Sequence, residues 1–166
     1  MPIFHSPPFE ADISRNSILI DTNVLYAAFG KKDRRKDDAK TFLDIWNGDL
    51  LIPISVVVET WGLLVGSDRD WAGGFEFLNW LRNPGNKALL LPQHINSADF
   101  MFKMTLETHI DCVDAFLMSY ADDVTKHCNF RKFVFIATYD FSDYYKCLMK
   151  YNLRFILINP ENLEEY

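Results

Sequence analysis

Four acids, Asp21, Glu59, Asp114 and Asp140, stand where the chain is expected to switch from buried strand to helix. Parallel sheets gather such junctions at one edge, so carboxylates distant in sequence can converge there. Like charges brought together cost free energy unless protons or a cation compensate them. A convergence of these four therefore calls for a divalent cation, and hard oxygen donors suit Mg²⁺ or Mn²⁺.

Taken singly, each acid also has a plain structural explanation. Asp21, in Ile18-Leu19-Ile20-Asp21-Thr22-Asn23, can cap the helix that carries Val24, Leu25, Ala28 and Phe29. Glu59 shares a narrow polar strip with Ser55 on an otherwise apolar helix, and such a strip can face water or a shared pocket. Asp111 and Asp114 lie on one side of a helix start; Asp111 is the better N-cap, and Asp114 sits deeper against the apolar stripe. Asp140 can open the helix that holds Tyr144, Leu148 and Met149, with Asp143 following it.

The elements that must position these acids alternate in period. Short continuous apolar runs at Ser17 to Ile20, Ala88 to Leu91, Phe133 to Ile136 and Phe155 to Ile158 predict strands covered on both faces, with a brief Leu50-Leu51-Ile52 as another. Between them the spacing becomes helical: Ala39, Phe42, Leu43 and Trp46; Ile54, Val57, Val58 and Trp61; Val113, Phe116, Leu117, Tyr120 and Val124. Asp70 and Ser97 predict N-caps for helices over Trp71 to Leu81 and Ala98 to about Thr108, and Arg82-Asn83-Pro84-Gly85-Asn86 predicts a turn. Strands alternating with helices imply a mostly parallel sheet between helical layers.

At 166 residues, 49% hydrophobic and 24% charged, the chain has the makings of one well-cored domain. We expect that domain to span 17–158, between a Pro-rich flexible arm at 1–16 and an acidic tail at 159–166. Cys112, Cys128 and Cys147 show no C-x-x-C spacing, which disfavours a disulfide framework or structural zinc and suits a reducing, cytoplasmic setting. No stretch approaches the length needed to span a bilayer. A net charge of -6 argues against a globally positive nucleic-acid-binding face, although Lys31-Lys32-Asp33-Arg34-Arg35-Lys36 can meet phosphates locally. Arg69, Lys126, Arg131 and Lys132 are further candidates for that contact.

In order and separation, Ile20-Asp21-Thr22-Asn23-Val24-Leu25, Ser55 with Glu59, Val113-Asp114-Ala115 and Ala137-Thr138-Tyr139-Asp140-Phe141-Ser142-Asp143-Tyr144 resemble the PIN-domain family. The likeness runs from about Ser17 to Ile158. It implies an α/β/α sandwich with a central, mostly parallel sheet and a metal-dependent ribonuclease site, as in VapC-like toxins of toxin–antitoxin pairs. By motif position Asp21, Glu59, Asp114 and Asp140 match the acidic quartet, Thr22 or Asn23 with Thr138 its polar supports, and Asp143 a further acid. The resemblance also implies an RNA substrate, a protein antitoxin and a homodimer. Tyr144 stands where Phe is usual, a departure not expected to touch the quartet.

Within that reading Asp21 and Asp114 are direct ligands of Mg²⁺ or Mn²⁺. Asp140 serves a second ion or acts through water, and Glu59 is a ligand or water-orienting base. Without metal, one or more of the four should titrate well above the usual carboxylate value. A PIN-like scaffold or binding module without catalysis is the competing reading of the same fold. A haloacid-dehalogenase-type phosphatase needs a second Asp two residues after the first, where Asn23 stands, and a response-regulator receiver needs a Lys after a late strand that we do not find.

Overall fold

Among the described residues five strands lie parallel in the order β3-β2-β1-β4-β5. They are β1 (Ile18–Ile20), β2 (Leu50–Pro53), β3 (Ala88–Leu91), β4 (Phe135–Ala137) and β5 (Ile156–Ile158). Among the described residues seven α-helices connect and cover them: α1 (Thr22–Phe29), α2 (Lys36–Ile45), α3 (Ile54–Trp61), α4 (Trp71–Arg82), α5 (Ala98–Thr108), α6 (Cys112–His127) and α7 (Phe141–Tyr151). This computed structural model describes residues 17–91, 98–127 and 134–162. The arm at 1–16, the cap expected at Ser97, Arg131, Lys132 and the tail residues 163–166 lie outside them.

The apolar runs become strands because a central parallel strand is covered on both sides. Ile18, Leu19, Ile20 and Ile52 are fully buried. Ile18 pairs with Leu50 on one side and with Phe135 on the other, placing β1 in the middle. The two outer runs depart from the expectation of full cover. Leu89 in β3 and Ile156 in β5 remain exposed because each strand has a neighbour on one side only.

The helical expectations hold at α4 and α5 to within a residue of their predicted ends. Asp70 caps α4 by accepting from the Gly73 amide at 3.1 Å. One segment escaped the periodicity: α3 continues as a π-helical stretch, Gly62–Ser67. The wider turn puts Leu64 in the core and packs Trp61 and Val65 on the buried Gly74 of α4. A Cβ at Gly74 would meet Val65 Cγ2 at 2.6 Å.

The position that matters most for function is the reversal of strand order beside β1. From β1 the chain moves outward to β2 and β3, then returns to the other side for β4 and β5. The carboxyl ends of β1 and β4 flank that switch point, the crevice where open α/β sheets place their ligands. Among the described residues no helix is long and apolar enough to cross a membrane.

Candidate functional site

Asp21 follows the last residue of β1 and continues its ladder by donating its amide to Ala137 O at 3.1 Å. Its backbone carbonyl accepts from Val24 and Leu25, so the main chain begins α1 in the ordinary way. The side chain makes no cap hydrogen bond. It accepts instead from Thr138 Oγ1 at 2.6 Å and from Asn23 Nδ2 at 2.7 Å, and the residue is 2% exposed. The plain N-cap explanation thus accounts for the backbone of Asp21 and leaves the carboxylate for something else.

Thr138, after β4, ties this edge together. Its hydroxyl donates to Asp21 and accepts from Asn23 Nδ2 at 3.0 Å and from the Asp140 amide at 3.0 Å, using its one proton and both lone pairs. Asn23 Oδ1 accepts from the Tyr139 amide at 3.1 Å, closing the link between α1 and the loop after β4. Replacing Thr138 by Val keeps the shape and removes all three bonds. We expect a loss of about 1–3 kcal/mol in urea-denaturation stability, with Thr138→Ser recovering most of it; equal stability of the Val and Ser variants would refute the role.

The second acid, half-buried, arrives from α6. A left-handed residue, His109 (φ 60), separates α5 from α6. Asp111 then caps the helix, its Oδ1 accepting from the amides of Val113 at 2.8 Å and Asp114 at 2.9 Å. Asp114 lies in the first turn and accepts on Oδ1 from the Tyr144 hydroxyl of α7 at 3.1 Å. From α3, Glu59 accepts from Thr22 Oγ1 at 2.5 Å, so Thr22 joins the first and second motifs.

Electrostatics bind these acids into one group. Burial, reinforced by the charge of Asp111, lifts Asp21 to about 7 despite the hydrogen bond from Thr138. Burial, then the charges of Asp21 and Asp111, lift Asp114 to about 9, against the hydrogen bond from Tyr144. Glu59 is also raised, by burial and Asp111, with the Thr22 bond opposing. No described residue forms an ion pair with Asp21, Glu59 or Asp114. Burial is the largest cause for all three, and neighbouring negative charge adds to it.

The remaining candidates fall around this group. Asp140 is exposed and caps α7, accepting from the Asp143 amide at 3.5 Å; its connection to Asp21 runs through its own amide and Thr138. Asp143 pairs with Lys146 at 2.5 Å. Ser55 Oγ is buried without a hydrogen-bond partner among the described residues. Lys31 reaches Asp70 at 3.6 Å, while Lys32 and Arg34 are exposed, as is Arg69. Arg35 pairs with Asp33 and lies over the Tyr139 ring, 4.3 Å from its centroid, which brings one end of the basic run beside the loop after β4. Lys126 pairs with Asp122.

Two features escaped the sequence reading. Asp111, legible as a cap, is also a charge that raises Asp21, Glu59 and Asp114. Tyr144 reaches Asp114, so the departure from the usual Phe does touch the quartet; its hydroxyl, at a position patterned as core, was the available signal.

The donor set suits a small divalent cation. Mg²⁺ takes one or two carboxylates and keeps several waters, and the carboxylates of Asp21 and Asp114 are hard oxygen donors of that kind. Among the described residues no three His, Cys, Asp or Glu side chains group closely enough to hold an ion by themselves. A site here would accordingly be completed by water or substrate oxygens.

No family model matches the chain, and no curated protein sequence matches it. Solved structures do. The crystal structure of Mycobacterium tuberculosis VapC20, a Sarcin-Ricin loop cleaving toxin, superposes with a TM-score of 0.60 at 14% identity, covering 78% of this chain and 94% of that one. A toxin–antitoxin complex from Klebsiella pneumoniae gives a TM-score of 0.54 at 14% identity, covering 86% and 97%. The chain therefore shares the fold of these structures, an α/β/α sandwich around a parallel sheet.

Proposed function

We propose that this chain is a metal-dependent endoribonuclease, the toxin of a toxin–antitoxin pair. The observation that carries the reading is that buried Asp21 and half-buried Asp114 and Glu59 all titrate high, Asp114 under the charges of the other two, beside the strand-order switch of a fold shared with a Sarcin-Ricin loop cleaving toxin. An acidic group of this kind is unstable at neutral pH unless protons or a cation occupy it.

In this reading Asp21 and Asp114 hold Mg²⁺ or Mn²⁺, and Asp140 contributes through water or at a second ion. A bound divalent ion supplies Lewis-acid polarisation of the phosphate and a lowered water pKa. Asn23 and Thr138 fix the Asp21 carboxylate, so its oxygens need no reorganisation when substrate arrives. Glu59, held by Thr22, orients the attacking water and accepts its proton. Lys31, Lys32, Arg34 and Arg35 meet the RNA backbone, Arg35 being set near the loop after β4 by Tyr139. Asp111 supports the field at the site, with Ser55 and Asp143 at its margin.

The antitoxin partner is motivated by the complex whose fold this chain shares, and a homodimer by the resemblance in the motifs. The absence of a three-acid grouping among the described residues is what favours the competing scaffold reading. An RNA-cleavage assay separates the two: we expect cleavage with Mn²⁺ that stops on EDTA and returns on adding excess Mn²⁺. No cleavage of single-stranded or structured RNA at any metal concentration would leave the scaffold.

A further inference from the structure

We infer that Tyr144 is a positioning residue that fixes Asp114 for cation binding, its hydroxyl holding Oδ1 and leaving Oδ2 to take the ion. The inference rests on the proposed metal-dependent reading and names how this chain builds that site. Tyr144 is fully buried in α7, and its ring stands edge-on to Phe155 with centroids 6.4 Å apart, so the hydroxyl has little freedom to move. Its bond to Asp114 is the one hydrogen bond that a described residue makes to that carboxylate.

Packing alone does not require the oxygen, because Phe would fill nearly the same volume. A buried hydroxyl costs free energy unless bonded, and here its partner is an acid thirty residues earlier in the chain, on another helix. The bond therefore fastens the start of α6 to the first turns of α7. It selects one orientation of a carboxylate that would otherwise rotate between its two oxygens. Residues that orient ligands in this way typically change metal affinity by about 10–100-fold when removed.

The test is Tyr144→Phe, with Mn²⁺ affinity measured by electron paramagnetic resonance or calorimetry, beside circular dichroism and thermal melting of the metal-free chain. We expect the fold to persist and the Mn²⁺ dissociation constant to rise about tenfold. Unchanged affinity in the variant, with the wild-type chain binding Mn²⁺, would overturn the positioning role and leave the nuclease reading standing. A wild-type chain that binds no Mn²⁺ would overturn both. A lowered melting temperature with unaltered affinity would assign the residue to packing only and also overturn the inference.

Discussion

Replacing Asp114 by Asn is expected to abolish RNA cleavage while stabilising the metal-free chain above neutral pH. Two consequences follow from one carboxylate. As a ligand, Asp114 should matter more than the residues that orient it, so the rate should fall by more than about 100-fold. As a half-buried acid under the charges of Asp21, Asp111 and Glu59, it is lifted to about 9, which means that its ionised form opposes the fold. Asn removes that opposition, and its amide oxygen can still accept from Tyr144. Initial cleavage rates with Mn²⁺, paired with melting curves at pH 8, check both halves. An Asn variant that still cleaves would sink the ligand assignment; one that cleaves poorly and also melts lower would point to lost structure instead of lost chemistry.

The second large effect is a stability that falls as pH rises. The carboxyl of Asp21 goes from 3.8 to about 7 on folding, so between those values the folded chain binds a proton that the unfolded chain does not. Stability is then fully present below about pH 4 and is lost as pH climbs through about 7, with Asp114 extending the loss toward about 9. For Asp21 the difference amounts to at most about 4 kcal/mol. In a domain of this size that is on the order of 10 °C in melting temperature. A divalent cation competes with those protons, so its stabilising effect should grow over the same window, reaching about 2.7 kcal/mol at a hundredfold excess over its dissociation constant. Melting temperatures from pH 5 to 8, with EDTA or with Mn²⁺, report this directly. A curve that rises with pH and ignores Mn²⁺ would contradict a buried acidic group.

Much of the frame was legible because strand and helix differ in period. The run at Ile18, Leu19 and Ile20 has no polar side, which only a strand covered on both faces tolerates, and that placed Asp21 at a strand's end. Asp70 and Asp111 were legible as caps because a short acid before an apolar stripe satisfies orphan amides whatever the fold. The π-helical stretch after Trp61 was not, since it depends on how closely Gly74 of another helix approaches. Nor was the exposure of Leu89 and Ile156, because a run of four apolar residues does not say whether its strand lies inside the sheet or at its rim.

For the site, local sequence determined which residues are acids at strand and helix junctions, and the order of the motifs determined the fold they share. Tertiary structure alone decided which acids meet. It buried Asp21, half-buried Asp114 within reach of the Asp21 charge, kept Asp140 at the solvent-facing cap of α7, and brought the Tyr144 hydroxyl onto Asp114. The physical reason is that desolvation and Coulomb repulsion depend on distances through space between chain segments, and the crossing of the sheet at β1 and β4 sets those distances.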